Sequence, residues 1–252
     1  MMSQVFIENV SVEFSRHREA TQIALAETSL TIEEGEFVCL LGPSGCGKST
    51  LLNVVGGLIE TTTGHVIVGG KAVAHPGPDR GMVFQNYSLY PWLTVRGNVE
   101  FGPRLNKWSA AKVSQTADEL IEIVGLTDYA EQFPKVLSGG MRQRVAIARA
   151  LAMEPHVLLM DEPFAALDAQ TRSRMQELLL NIWARKRSTV IFVTHDIEEA
   201  IFLADRVLVM STRPGRIIED FKIELPRPRS ADVVASDEFT QYRKRMLHLL
   251  RH

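Results

Sequence analysis

Two stretches near the start of the chain, VFIENVSVEF (5–14) and LAETSLTIEEGEF (25–37), alternate apolar and polar positions, the period of half-buried antiparallel strands. The pattern then changes. Phe37-Val38-Cys39-Leu40-Leu41 is apolar throughout, which predicts a strand buried on both faces, and Lys48 to Leu58 follows as a helix. The same succession returns later, with strands predicted at Met82-Val83-Phe84, Val157 to Met160, Thr189 to Val193 and Arg206 to Met210. Between Ala169 and Lys186, the positions Met175, Leu178, Leu179, Ile182 and Trp183 recur at helical spacing and predict the buried stripe of a covering helix. Strands alternating with helices predict an α/β fold with a mainly parallel sheet, and the N-terminal stretches add an antiparallel β part.

Residues 87–135 differ in character. An aromatic, proline-bearing YPWLTV precedes the polar helical stretch Ser109 to Val124, so a mostly helical subdomain is expected to be inserted in the sheet domain. The expected organisation is one domain over 1–252. Its core comprises 1–86 and 136–230, the helical subdomain 87–135, and a C-terminal helical part 231–252. In that last part Phe239 to Leu250 reads as an amphipathic helix carrying Arg243, Lys244 and Arg245, a solvated face or a contact with a second chain or anionic lipid.

Composition narrows the function. The 252 residues carry a formal net charge of -2, which lacks the basic field of a dedicated nucleic-acid binder. No nucleic-acid partner is expected. Cys39 and Cys46 have neither zinc-ligand nor disulfide-framework spacing and fit a reduced, cytosolic setting. No stretch reaches the roughly 18 uncharged apolar residues of a membrane span, so membrane contact is expected to run through a partner.

The chemistry begins at Gly42-Pro43-Ser44-Gly45-Cys46-Gly47-Lys48-Ser49, which satisfies G-x-x-x-x-G-K-[ST] directly after a predicted strand and at a helix start. Glycines let backbone N–H groups turn inward, and the helix N-terminus adds positive potential toward phosphates. Lys48 is expected to reach the β- and γ-phosphates and Ser49 to ligate Mg²⁺. Val157 to Met160 runs into Asp161 and Glu162, two carboxylates at the end of a strand, where ligands sit in open α/β sheets. Adjacent acids repel unless a cation or proton offsets them. Asp161 is therefore expected to hold Mg²⁺ through water and Glu162 to polarise an attacking water as general base. His195 in Thr194-His195-Asp196 follows another strand and is expected near the γ-phosphate; alone it would read as structural, but it stands in this company. Gln85 has the same placement after Met82-Val83-Phe84, where its amide can link Mg²⁺ and the lytic water to the helical insert.

Together these residues resemble the ATP-binding subunits of ABC transporters, over nearly the whole chain and in the expected order. The resemblance implies a P-loop NTPase of ABC ATPase type with ATP and Mg²⁺ as its cofactors. GPSGCGKST, Gly42 through Thr50, is similar to the Walker A loop, Gln85 to the Q-loop residue, and LSGGM, with Ser138, Gly139 and Gly140, to the signature. VLLMDE is similar to the Walker B strand, Ala166-Leu167-Asp168 to the D-loop, and His195 to the switch histidine. Phe14 stands where the family stacks an aromatic on adenine, or is simply a strand-face residue. The resemblance further implies that LSGG closes on ATP held by a second subunit, so that two chains form two composite sites. The usual fifth signature residue is glutamine; here it is Met141, which offers no strong donor.

LSGGMRQRVAIARAL, PGPDRGMVFQNYSLYPWLTVRGNV and MSTRPGRIIEDFKIELPRPR resemble the branch that serves importers of nitrate, sulfonates and taurine. That branch implies a second ATPase subunit, a transmembrane permease pair, a substrate-binding protein acting indirectly, and a place on the cytoplasmic face of the inner membrane. Tyr87, Tyr90, Pro91, Trp92 and Leu93 are expected to receive a permease helix, the alternative being that Trp92 is core of the insert. Rival readings explain less. A switch GTPase would carry Asn-Lys-x-Asp, whereas Asn106-Lys107-Trp108-Ser109 lacks the aspartate. A small-molecule kinase leaves LSGG unexplained, and an ABC-type ATPase of DNA repair or translation would bring coiled-coil insertions or tandem domains.

Overall fold

A computed structural model describes residues 3–14, 22–212 and 214–250. They fall into two units, residues 1–77 with 187–252 and residues 78–186.

In the first unit the alternating N-terminal stretches form β1 (Ser3–Phe14) and β2 (Gln22–Glu33). With β4 (Thr63–Val68) and β5 (Lys71–Ala72) they make an antiparallel sheet in the order β2-β1-β4-β5. The buried positions of β1 are Val5 and Ile7, then Val10 and Val12, a change from odd to even. Asn9, with φ 51, sits at that change, where the register slips between Ile7 and Val10. A bulge there returns the second half of the strand to the same face.

The apolar run Phe37–Leu41 is β3, and all five of its residues are buried. It pairs in parallel with β8 (Thr189–Thr194) on one side and β9 (Arg206–Ser211) on the other, and β9 pairs antiparallel with β10 (Arg216–Lys222). Burial on both faces explains the apolar run of β3, β8 and the middle of β9, with each large side chain contributing about 1.5–3 kcal/mol. The α-helices of this unit among the described residues are α1 (Lys48–Val55), α6 (Ile197–Leu203) and α7 (Asp237–Leu250). α1 stops three residues short of the expected Leu58, because Gly56 and Gly57 (φ 71) end it and leave Leu58 48% exposed.

In the second unit β6 (Arg80–Val83) runs parallel to β7 (Val157–Asp161). Phe84, expected as the last residue of that strand, lies beyond it and is exposed. In this unit α2 (Val95–Leu105) and α3 (Ala110–Ile123) pack on each other and on α4 (Gly139–Leu151). Thr94, Ser109 and Ser138 cap these three helices through their hydroxyl oxygens, each accepting from the backbone N–H three residues on. The covering helix is α5 (Ala169–Lys186); its buried stripe includes Leu180, whereas Leu178, expected in the core, is only half-buried.

Candidate functional site

The phosphate-type loop leaves the C-terminal end of β3 and enters α1. Gly47, its N-cap, has φ 88, and a Cβ there would lie 2.8 Å from the carbonyl oxygen of Ala24, so conformation and space both require glycine. The tip, Pro43 to Gly45, is exposed. Beneath it Lys48 is buried, and its Nζ donates to the carbonyls of Gly42 (2.8 Å) and Pro43 (2.9 Å), with the Sγ of Cys46 3.7 Å away. The ammonium is thereby aimed across the loop rather than into solvent. Ser49 and Thr50 occupy the first turn of α1 and are half-buried.

Register brings His195 to the same edge. Leu41 of β3 pairs with Thr194 of β8, so the loop that starts at Gly42 and the imidazole of His195 emerge side by side at the C-terminal ends of neighbouring parallel strands. The turn is held locally: Thr194 Oγ1 accepts from Asp196 N, and Asp196 Oδ1 accepts from the N–H groups of Glu198 and Glu199 to cap α6. His195 itself is exposed. Phe14, at the end of β1, is 45% exposed, and the residues that follow it lie outside the described ones.

The second unit repeats the arrangement. Val83 of β6 pairs with Met160 of β7, so Gln85 and Glu162 each stand two residues beyond a matched pair, at one edge. Asp161 ends β7, and Glu162 adopts φ 43, a left-handed conformation that a non-glycine residue rarely takes. Such strain persists where the surroundings over-determine it and collects at functional positions. Within this unit Asp161 and the amide oxygen of Gln85 are hard oxygen donors, the chemistry Mg²⁺ takes; the hydroxyl of Ser49 in the first unit is another of the same kind.

Ser138, Gly139 and Gly140 form the N-terminus of α4. Ser138 is exposed, and its Oγ accepts from Met141 N at 3.3 Å, which leaves its proton available for donation outward. Gly140 is buried, and a Cβ there would meet the Cγ2 of Thr171 at 2.7 Å. Thr171 lies in the first turn of α5, where Asp168 Oδ1 accepts from its N–H at 2.9 Å. The backbone N–H and the hydroxyl of Thr171 hold the Asp168 carboxyl below the usual carboxylate range. LSGG and the turn of Asp168 are thus packed together within one chain.

The family model described as ABC transporter matches residues 25–165, more than half of the chain. The chain belongs to the ABC transporter family. It is similar to the nitrate import ATP-binding protein NrtD of Synechocystis sp., at 49% identity over 93% of this chain and 90% of the relative. It is also similar to the aliphatic sulfonates import ATP-binding protein SsuB of Bacillus cereus, at 47% identity over 96% and 94%. Among solved structures it resembles the dimeric ATP-binding cassette MJ0796 in a post-hydrolysis state with ADP and Pi, with TM-score 0.76 and 35% identity. That likeness covers 88% of this chain and all of the other. The ABC ATPase fold and its ATP hydrolysis follow from these likenesses.

Two contacts of this ABC ATPase have no sequence motif of their own. Thr171 presses on Gly140, as above. Gly215, in the turn before β10, abuts the phosphate loop: a Cβ there would lie 2.4 Å from the carbonyl oxygen of Cys46, and its own carbonyl accepts from Ala26 N at 2.8 Å. The PGR of STRPGR was the only signal, a turn marker silent about what the turn touches. The cations of α7 are largely engaged at home, with Arg243 paired to Glu198 at 2.8 Å and Arg245 set 4.7 Å over the ring of Phe221.

Proposed function

We propose that this chain is the motor ATPase of an importer for a small anion or organic acid of the nitrate, sulfonate or taurine type. The relatives named for nitrate and sulfonate import support the substrate class, at 49% and 47% identity over nearly the full chain. The observation that carries the mechanism is Glu162 held at φ 43 immediately after Asp161 at the end of a buried strand.

N–H groups of the loop Gly42 to Thr50, all but Pro43, bind the phosphates of ATP, Lys48 neutralises the β- and γ-phosphates, and Phe14 stacks on adenine. Ser49, Gln85 and Asp161 would hold Mg²⁺, which supplies charge neutralisation on the phosphate oxygens. Glu162 accepts a proton from water as its oxygen attacks the γ-phosphorus. The bond to the bridging oxygen of the β-phosphate breaks, giving ADP and inorganic phosphate. His195 faces the γ-phosphate and senses its departure. Ser138, Gly139 and Gly140 donate to the γ-phosphate bound by a second, identical chain, and Asp168 lies at that subunit contact. The dimeric cassette with ADP and Pi supports this pairing.

Coupling runs through a permease pair docked at the aromatic loop. Trp92 is 68% exposed, which favours a surface role over a core one. That permease, itself fed by a substrate-binding protein, holds the subunit on the cytoplasmic face; no helix among the described residues is long and apolar enough to cross a membrane. In a steady-state assay, Glu162→Gln is expected to lower ATP hydrolysis by about 10² to 10⁴ while ATP binding persists. Hydrolysis at the wild-type rate would remove Glu162 from the role of base.

A further inference from the structure

The loop that carries Gln85 is held in an unusual way. Tyr87 and Ser88 are consecutive non-glycine residues with φ 58 and φ 47, and Gln85 itself is exposed. Two left-handed residues in succession do not hold themselves; something must fix them. Arg149, near the C-terminal end of α4, supplies the fixing. Its guanidinium donates to the carbonyl of Ser88 through one terminal nitrogen and to that of Tyr87 (3.1 Å) through the other. The fork geometry of arginine suits two adjacent carbonyls, where a single ammonium would reach one.

The same guanidinium lies 5.4 Å over the ring of Tyr90. Tyr90 in turn packs on the exposed Trp92 (5.5 Å) and on Phe101 (4.5 Å), and its backbone is pinned at both ends by the buried amide of Asn98. On the other side of the loop, a Cβ on Gly139 would lie 3.4 Å from the hydroxyl of Tyr87, and Arg142 sits 5.6 Å over its ring. One helix therefore begins with the signature residues and, near its far end, grips the turn two residues after Gln85. Burial lowers the pKa of Arg149, as expected of a guanidinium withdrawn from water to serve carbonyls.

We propose that Arg149 is a positioning residue that locks the Gln85 loop to the signature helix, so that a push on Trp92 and Tyr90 moves Gln85 and Ser138–Gly140 together. The proposal rests on the reading of Gln85 as a ligand-side group and of Trp92 as permease-facing. It assigns Arg149 no contact with ATP.

The test is Arg149→Gln in the full chain, read by hydrogen exchange and by steady-state kinetics. Exchange of amides 86–90 should rise about tenfold or more while the buried strand 37–41 stays protected. The kcat for ATP should fall about tenfold with KM changed less than about twofold, because the phosphate loop is untouched. Adding Ser88→Gly, which makes the left-handed turn intrinsically acceptable, should recover part of the lost kcat. If the glutamine variant does not fold, Arg149→Lys, which keeps the charge but loses the fork, should show the same pattern in weaker form. Unchanged exchange at 86–90, an unchanged kcat, or a loss that Ser88→Gly leaves untouched would overturn the proposal. Exchange is read without hydrolysis, so a failure of the Glu162 reading would leave this result interpretable.

Discussion

Three non-glycine residues with positive φ, Tyr87, Ser88 and Glu162, stand within the chemistry-bearing loops, and each costs about 1–3 kcal/mol that the surroundings must offset. Tyr87 and Ser88 are offset by the Arg149 clamp. Asp168 shows the complementary case of a residue whose local partners stabilise it: the Thr171 N–H bond favours the carboxylate and depresses its pKa in the folded chain. A depressed carboxyl contributes stability that is complete above its unfolded pKa and is lost as the pH falls through the folded one. Acid denaturation followed from neutrality to below about pH 4, the ordinary aspartate pKa, should therefore flatten in Asp168→Asn relative to wild type. An identical slope in the two proteins would mean that the bond does not favour the charged form. The motif residues were legible in the sequence because a phosphate loop needs a fixed order of glycines, lysine and serine. Arg149 and Thr171 were not, because what each one touches is decided by how α4 packs, and no local spacing encodes that.

Among the elements, the buried strands are the ones legible in the sequence. β3, β7, β8 and β9 are buried on both faces and so appear as continuous apolar runs bounded by glycine, polar or charged residues. The helix α6 is not legible, since its seven residues give too few turns for a period to show, and neither are β4, β5 and β10, each exposed over half or more of its length. α6 follows directly on His195, and it owes its C-terminal end to a distant side chain. Arg229 is buried, and its guanidinium donates to the carbonyls of Ile201 (3.0 Å), Phe202 (3.0 Å) and Ala204 (2.7 Å). Burial, with Arg227 nearby, draws its pKa down to about 10, so it remains a cation at neutral pH. Arg229→Met keeps most of the volume but leaves those carbonyls unpaired, and a loss of about 2–3 kcal/mol in unfolding free energy is expected by denaturant titration. A loss below about 0.5 kcal/mol, the usual size for a surface change, would show that water replaces the guanidinium there.

At the scale of the whole molecule, the account depends on a site that one chain does not complete. Ser138 is exposed at a helix start, with its proton free to point outward. The family and its ATPase activity were readable because six motifs fall in order along one chain. Met141 left the sufficiency of LSGGM open, since a sequence cannot say whether the serine and glycine backbone alone closes a partner's site. The most direct test is the mass in solution of the Glu162→Gln protein, measured by light scattering with and without Mg-ATP. The account predicts the mass of one chain without nucleotide and twice that with it, and a return to one chain when Ser138→Arg is added. A mass that stays at one chain in saturating Mg-ATP would contradict the composite site.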